Sequence, residues 1–291
     1  MKAAIIGAGF VGKELARQLL ATGHEPVLLG PSPVMDADCD CIPCDVLQGE
    51  VPLPANTEAV FYLAQSPYYR DFPAHAGHLF GVNTLGPVKA AEAAAAVGCR
   101  FFFYASTGNV YTPGFDALSE QSPAKSPQPY ALSKRMAEEA LSLFSTAMTV
   151  VCGRIFGVYG PGQRAMLAAL IRQRVLEGIP VQLAPHPERG DDGGLHVSFI
   201  YNSDLARILV ALAEKAMTGE SLPRILNLAG PKAVSLRELA EEIGRSAGKG
   251  VSFEIPDMPR QFDLSADISL LSRHLPTSFT PLRQALSEWR T

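Results

Sequence analysis

The sequence predicts an α/β protein built on a doubly wound parallel sheet, with a smaller lobe formed mainly by the C-terminal part of the chain. Short apolar runs, which are typical of buried strands, alternate with longer segments of helical periodicity, and this alternation favours parallel strands joined by helices. The first strand, at residues 2–6, leads into a glycine-rich turn and a helix, as dinucleotide-binding units do. With 291 residues, 47% of them hydrophobic, the chain can bury a sizeable core as one large or two unequal domains.

Composition argues against several classes of function. The net charge of −4 and the lack of any run of Lys and Arg predict that nucleic acid is not a partner. Because no segment reaches transmembrane length and glycines interrupt the apolar N-terminus, we expect no membrane partner and a cytoplasmic protein with reduced cysteines. Cys39, Cys41 and Cys44 lack a nearby fourth ligand, so no metal is predicted.

The turn at residues 7–12 carries three glycines with different tasks. Gly7 permits the tight turn, Gly9 lets the backbone approach a pyrophosphate, and Gly12 lets the helix pack on the strand. The helix that follows, starting with Phe10 and Val11, directs its N-terminus at the anion. We therefore expect a dinucleotide site here rather than a bare structural turn.

The second strand, at residues 25–29, bears on the choice of cofactor. A carboxylate often holds the adenosine ribose at this point, but the chain continues with Gly30, Pro31 and Ser32. No acid would repel a 2′-phosphate, and Ser32 could donate a hydrogen bond, although no Arg or Lys is adjacent. With Asp45 and Val46 near the adenine edge, the sequence predicts NADP or NAD, with NADP slightly favoured.

The remaining elements surround a Tyr-x-x-x-Lys pair. A helix over 130–146 would place Tyr130 and Lys134 on one face, where a cation beside the phenol favours its ionised form. Such a phenol suits proton transfer at a carbinol or carbonyl oxygen, although the alternative is a packed Tyr beside a solvated Lys. Strands are also predicted over 59–64, 99–105 and 149–155, and a helix over 83–97.

These pieces occur in an order that resembles one enzyme family. In sequence order they are residues 7–12, Asp45, residues 62–64, Asn83, and residues 104–111, 130–134, 154–163 and 199–205. Together they resemble an extended short-chain dehydrogenase/reductase of the NAD(P)-dependent epimerase/dehydratase family. The resemblance implies a Rossmann-type domain and hydride transfer at a secondary alcohol or ketone carbon, with a sugar or nucleotide sugar as the favoured substrate. The sequence does not decide between an epimerase and a reductase.

The resemblance also implies roles for individual residues. Thr107 would hydrogen-bond the reacting oxygen, with Ser106 as the fallback, and Tyr130 would be the acid or base. Lys134 would hold the nicotinamide ribose and lower the pKa of Tyr130, and Asn83 would lie near the cofactor or place the active-site helix. Leu63 and Ala64 complete the expected cofactor contacts.

Three departures from the family pattern bear on the geometry of the cofactor site, the reaction and the substrate. Residue 6 is Ile where the family usually has an earlier glycine, and Gly108 and Asn109 replace the acidic pair of dehydratases. Residues 195–198 lack the Arg that often grips a diphosphate, so the expected substrate contacts are Ser106, Arg164, Arg189 and His196.

Domain boundaries and partners complete the predictions. Residues 1–156 plus 196–220 are expected to form the NAD(P)-binding domain, and 157–195 plus 221–291 the substrate-binding lobe. A homodimer is predicted because helices 84–97 and 130–147 have more apolar surface than one sheet face can cover, and relatives commonly pair these helices. The alternative function, a non-catalytic NAD(P)-sensing protein, would have no use for Thr107, Tyr130 and Lys134 together.

Overall fold

The computed structural model describes residues 1–32, 38–188, 190 and 193–289. Its strands are β1 (Lys2–Ile6), β2 (Glu25–Gly30), β3 (Asp40–Pro43), β4 (Ala59–Tyr62), β5 (Phe101–Thr107), β6 (Thr149–Ile155), β7 (Val158–Tyr159), β8 (Val181–Gln182), β9 (His196–Val197), β10 (Ile200–Tyr201), β11 (Ile225–Leu228), β12 (Val234–Ser235) and β13 (Phe253–Glu254). Its helices are α1 (Phe10–Ala21), α2 (Ala76–Phe80), α3 (Gly86–Ala96), α4 (Pro129–Leu141), α5 (Leu167–Glu177), α6 (Asn202–Met217), α7 (Leu236–Ala247), α8 (Ser269–His274) and α9 (Leu282–Glu288). No helix of this described part is long and apolar enough to cross a membrane.

A seven-stranded sheet in the order β11-β6-β5-β4-β1-β2-β3 forms the centre of the fold. Strand β1 pairs in parallel with both β2 and β4, so Ile6 lies opposite Leu29 on one side and Tyr62 on the other. The strand order therefore runs outward in both directions from β1, and the predicted doubly wound parallel sheet is confirmed. The carboxyl ends of β1, β2 and β4 consequently share one edge of the sheet.

The inner strands β1, β4 and β5 are buried along almost their whole length because both faces of the sheet are covered there. Helices α3 and α4 cover one face, where Ala90, Ala94 and Leu141 pack with Tyr62 and Tyr104 in one buried cluster. Helix α1 packs against β1 and β2 through its buried apolar face. The small alanines of α3 thus let that helix lie close to the sheet.

The chain divides into two compact units. The first comprises Met1–Val110, Ala124–Arg154 and Ala206–Leu226, and the second Tyr111–Pro123, Ile155–Leu205 and Asn227–Thr291. The second unit has its own core, in which Tyr159, Phe199 and Trp289 pack with apolar residues of α5 and α7.

The predicted domain boundaries differ from these units at residues 111–123, 155–156, 196–205 and 221–226. Long-range hydrogen bonds account for two of the differences. The side-chain amide of Asn227 donates a hydrogen bond to the carbonyl oxygen of Leu118, and this bond holds segment 111–123 in the second unit. Strand β9 pairs with β12, which holds residues 196–197 there as well.

The helix predicted over 83–97 is interrupted at its start by a π-helical turn, Gly81–Leu85. Pro87 has no N–H, so the carbonyl of Asn83 lacks the partner that a regular helix would provide. The Tyr104 hydroxyl donates to that carbonyl at 2.6 Å, and the Tyr62 hydroxyl donates to Val82 O at 2.6 Å. Two sheet tyrosines therefore satisfy the backbone groups that the turn leaves open.

The active-site helix is shorter than the predicted 130–146. Helix α4 begins at Pro129 and ends at Leu141, and a 3₁₀ turn over Ser142–Phe144 follows it. Thr149 then starts β6, as predicted.

Candidate active site

The glycine turn after β1 has the geometry that a close backbone approach requires. Gly7 has φ of +115°, and a Cβ there would lie 2.6 Å from the backbone N of Ala64. A Cβ on Gly12 would lie 2.1 Å from the carbonyl oxygen of Gly7, so neither position accepts a side chain. Gly9 is exposed, and a Cβ on it would meet nothing within 4 Å. The turn therefore has no room for side chains at Gly7 and Gly12 but is open at Gly9.

Helix α1 begins at this open point. Gly9 is its N-cap, no side chain caps it by a hydrogen bond, and no acidic residue lies in its first turn, which starts with Phe10 and Val11. The exposed amide dipoles at such a helix start attract an anion. The predicted pyrophosphate position thus has the right electrostatics.

Predicted cofactor residues from neighbouring strands gather at the same sheet edge. Leu63 N donates to Ile6 O and Gly7 N donates to Leu29 O, both at 2.8 Å, which holds Leu63 and Ala64 beside the turn. A Cβ placed on Gly30 would lie 3.6 Å from the Cβ of Ala8.

The two residues predicted near the adenine follow β3 directly. Cys44 N donates to Gly30 O, which brings Asp45 and the buried Val46 to the end of β2. The Asp45 carboxylate is half-buried and accepts a hydrogen bond from Leu47 N at 3.0 Å. Ser32 is exposed and immediately precedes the segment that the structure leaves undescribed.

Tyr130 lies in the first turn of α4, and its hydroxyl meets two partners. Its Oη donates to Gln65 Oε1 at 2.9 Å, and Thr107 hydrogen-bonds to it from the end of β5. Thr107 Oγ1 in turn accepts hydrogen bonds from the backbone and side-chain nitrogens of Asn109, both at 3.2 Å. Sequence analysis missed Gln65 and Asn109, although each follows a predicted strand end.

The structure does not support the predicted lowering of the Tyr130 pKa by Lys134. Burial raises the pKa of Tyr130 above its usual value, and the hydrogen bond from Thr107 only partly opposes this. Lys134 Nζ donates to Ala105 O at 2.8 Å and lies 5.0 Å above the ring of Tyr104. Because desolvation of the phenol dominates and the ammonium is held at that carbonyl, the Tyr130 pKa is raised rather than lowered. At neutral pH the phenol is therefore protonated and can act as an acid.

Lys134 itself is buried, with 2% of its surface exposed. Desolvation lowers its pKa from 10.5 to about 7, and the carboxylate of Glu138 acts in the opposite direction. Lys134 therefore changes protonation close to neutral pH.

Ser106, the predicted fallback donor, points away from Tyr130. Its hydroxyl donates to the carboxylate of Glu138, which also forms a buried ion pair with Arg154 at 2.7 Å. Neighbouring strand residues project to opposite faces of a sheet, so Ser106 faces away from Thr107. Its hydroxyl proton is already donated to Glu138 and is not free for a substrate.

Asn83 fits the second of its two predicted roles. Its side chain is completely buried, donates to Ser133 Oγ at 3.1 Å, and accepts from Ser66 N at 3.1 Å. Both ends of the amide are thus occupied in joining α4 to the loop after β4. In this geometry the Asn83 side chain holds the active-site helix to that loop.

The other predicted substrate residues belong to the second unit. Arg164 is exposed in the loop after β7, where it lines a shallow pocket together with Gln163 and Trp289. His196 lies in β9, with Nδ1 3.3 Å from an Arg260 guanidinium nitrogen. Arg189 lies outside the described residues.

Arg260 is a cation that sequence analysis missed. It is 8% exposed, and its guanidinium donates to both carboxylate oxygens of Asp263 beside His196. Only the spacing of three residues between Arg260 and Asp263 could have suggested the pair. Among residues 1–32, 38–188, 190 and 193–289, no three His, Cys, Asp or Glu side chains are grouped to hold a metal ion.

Comparisons with known proteins find one family. A family model, described as the NAD dependent epimerase/dehydratase family, matches residues 3–229. The UDP-glucose 4-epimerase of Mycolicibacterium smegmatis is 26% identical over 270 residues, which cover 85% of this chain and 83% of that protein. An uncharacterized UDP-glucose epimerase of Bacillus subtilis is 25% identical and covers 88% of this chain and 85% of its own.

Solved structures agree with these relatives. MoeE5 in complex with UDP-glucuronic acid and NAD is 25% identical, with a TM-score of 0.79 over 99% of this chain and 97% of that one. The UDP-glucuronic acid 4-epimerase of Bacillus cereus in complex with UDP-glucuronic acid and NAD has a TM-score of 0.79 over 99% and 98% of the two chains. At 22% identity the second likeness supports the fold alone.

The buried Lys134 predicts a distinctive dependence of stability on pH. Its pKa of about 7 in the folded protein is below the 10.5 of an exposed Lys, so between these values the unfolded chain binds a proton that the folded chain does not. The free energy of unfolding should therefore rise with pH in this window, by at most about 1.4 kcal/mol per pH unit. Lys134→Met should remove this contribution.

Urea unfolding at several values between pH 7.5 and 9.5 would measure the slope. Lys125→Met is the matched control, because Lys125 is exposed and should leave the slope unchanged. Equal slopes for wild type and Lys134→Met would contradict the assignment.

Proposed function

Because the chain belongs to the NAD dependent epimerase/dehydratase family, we propose that it transfers hydride at a secondary alcohol or ketone carbon of a nucleotide sugar. The observation that carries the proposal is the position of the Tyr130 hydroxyl, which Thr107 and Gln65 hold at the start of α4 with Lys134 one turn behind it. A bound nicotinamide supplies the hydride chemistry. This is an enzyme of the extended short-chain dehydrogenase/reductase type.

The residues of the chain have separate tasks in this proposal. Tyr130 exchanges a proton with the oxygen on the reacting carbon. Because its pKa is raised, Oη carries that proton at neutral pH. Thr107 hydrogen-bonds the same oxygen. Lys134, when protonated, binds the nicotinamide ribose and places a positive charge near the site where negative charge develops.

The proposed substrate class is a uridine diphosphate sugar. Support comes from the relatives, whose names include a UDP-glucose 4-epimerase and a structure with UDP-glucuronic acid. Asn109, which stands where dehydratases of this type carry an acid, donates to Thr107 instead, and this favours redox chemistry or epimerisation over dehydration. Arg164, Arg189 and His196 remain the proposed substrate contacts.

The alternative, a protein that senses NAD(P) without catalysis, is less well supported. Burying the ammonium of Lys134 costs free energy, and simple cofactor binding does not require a proton donor beside it. We also propose a cytoplasmic location, since all five cysteines are unpaired.

The cofactor is proposed to be NADP or NAD, with NADP slightly favoured. The end of β2 carries Gly30 where an acid would repel a 2′-phosphate, and Ser32 is exposed beside it. The structural relatives named above contain NAD, so affinity for NAD is expected as well.

We further propose a homodimer, although the residues that would form it differ from those first expected. Ala90, Ala91 and Ala94 are fully buried against the sheet, so they need no second copy to cover them. The apolar side chains that remain exposed nearby are Leu85, Met136 and Leu143, at 54%, 43% and 80%. These residues support an interface formed by the π-helical turn, α4 and the 3₁₀ turn after it.

Tyr130→Phe tests the catalytic role, because it removes the transferable proton and little else. We expect kcat to fall about 100- to 10,000-fold, with cofactor affinity nearly unchanged. Turnover of UDP-glucose and UDP-glucuronic acid, followed by product chromatography, measures the effect. Tyr68→Phe is the control, since this Tyr is 39% exposed and the substitution is chemically the same. Wild-type turnover in Tyr130→Phe would refute the role.

Gly30→Asp tests the cofactor preference. The new side chain fits, because the nearest atom to a Cβ at this position is 3.6 Å away. We expect wild type to bind NADP at least as tightly as NAD, and the added carboxylate to shift the ratio of the two Kd values toward NAD by about tenfold. Calorimetric titration decides, with Gly250→Asp as a charge-matched control in open space. A strong wild-type preference for NAD would end the NADP proposal.

The double substitution Leu85→Glu and Met136→Glu tests the dimer. Two carboxylates per protomer would be buried at the interface, so the protein should become a soluble monomer. Light scattering at micromolar concentration should report twice the chain mass for wild type and the chain mass for the variant. Met258→Glu, at a residue 75% exposed in the second unit, should stay dimeric. A monomeric wild type would exclude the homodimer.

A further inference from the structure

A buried carboxylate lies directly behind the catalytic pair. Glu138 follows Lys134 by four residues on α4, so both side chains project from the same face of the helix. Only 3% of Glu138 is exposed, and among the described residues of the first unit it is the only buried Asp or Glu. A buried charge of this kind is retained only where its surroundings compensate it.

Glu138 is compensated by two strands of the sheet. Arg154 on β6 donates to both carboxylate oxygens, at 3.0 Å from Nε and 2.7 Å from Nη2. Ser106 on β5 donates to one of the same oxygens. The carboxylate thus ties the active-site helix to the two strands that lie beneath it.

Other titratable groups face this carboxylate from each packed element. On β5 the ring of Tyr104 contacts the Lys134 ammonium, and on β6 the buried Cys152 thiol lies in the electrostatic field of Glu138. Arg224, which is exposed just before β11, donates to the backbone carbonyl of Glu138 at 3.1 Å. Tyr130 completes the set at the start of α4.

With Glu138 ionised, the buried charges in this set leave one net positive charge, and without it they would leave two. Lys134 and Arg154 contribute two buried cations when both are protonated, and Glu138 contributes the one buried anion. Without that anion the two cations would lie near each other in a low-dielectric region, which favours loss of the proton from Lys.

We propose that Glu138, held by its buried pair with Arg154, is a positioning residue for the hydride-transfer reaction that favours the protonated form of Lys134 behind Tyr130. The inference rests on the proposed function. Desolvation lowers the pKa of Lys134 to about 7, and Glu138 is the group that opposes this change. The protonated form of Lys134 has three N–H donors and a positive charge, so it binds ribose hydroxyls more strongly than the neutral amine, and Glu138 thereby sets the pH range of activity.

Glu138→Gln tests the proposal because it preserves shape and removes the charge. The alkaline limb of the kcat/KM profile should move about one pH unit lower, which costs about five- to tenfold in activity at pH 7.5 and little at pH 6. Glu139→Gln is the matched control, since Glu139 is the next residue on α4 and is exposed. A limb that stays at the wild-type pH in Glu138→Gln, or moves equally in Glu139→Gln, would overturn the proposal.

Glu138→Asp provides a second test if the Gln variant does not fold. It keeps the charge but shortens the reach to Ser106 and Arg154, so kcat should fall about tenfold while the alkaline limb stays near its wild-type pH. Unchanged kcat together with an unchanged limb would overturn the proposal.

Cofactor binding separates this proposal from the proposed function. If wild type converts no UDP-sugar, the proposed function fails. The pH dependence of NAD affinity, measured by calorimetry, then still tests Glu138. Affinity should fall at a lower pH in Glu138→Gln than in wild type and Glu139→Gln, and identical pH profiles would overturn the inference.

Discussion

Burial of the Lys134 ammonium is the constraint on which the site depends. The side chain reaches from α4 to the carbonyl of Ala105 on β5. Burial in this region of low dielectric disfavours the charged form of the side chain. The carboxylate of Glu138 opposes this effect and is itself held by Arg154 and Ser106. The three buried charges therefore form one electrostatic unit that joins α4 to β5 and β6.

The position of α4 depends in turn on an irregular turn. Pro87 has no N–H to donate to the carbonyl of Asn83, and sheet tyrosines donate to the carbonyls of Val82 and Asn83 instead. The side chain of Asn83 is then directed at Ser133, so the turn that breaks one helix fixes the next. Such π-helical turns often occur next to functional sites because they redirect a few side chains without ending the helix. The position of α4 is thus held by groups outside the Tyr130–Lys134 pair.

The first unit contains both halves of the proposed chemistry. Gly7 and Gly12 leave no room for side chains where β1 meets α1, and the open N-terminus of α1 lies above them. Thr107 ends β5, which lies on the β4 side of β1 in the sheet order. Tyr130 lies in the first turn of α4. A doubly wound sheet brings these distant segments to one edge, because all its parallel strands end there.

Much of this was determined by local sequence. The alternation of apolar runs with helical segments, the spacing of Gly7, Gly9 and Gly12, and the four-residue spacing of Tyr130 and Lys134 each express a short-range rule, so the fold class could be predicted correctly. Tertiary structure alone decided that Lys134 turns to Ala105, that Ser106 turns to Glu138, and that Asn83 joins two elements. It also decided that the alanines of α3 face the sheet and that Gln65 reaches Tyr130. These outcomes depend on long-range contacts and on the cost of burying charge, and neither is encoded in the spacing of neighbouring residues.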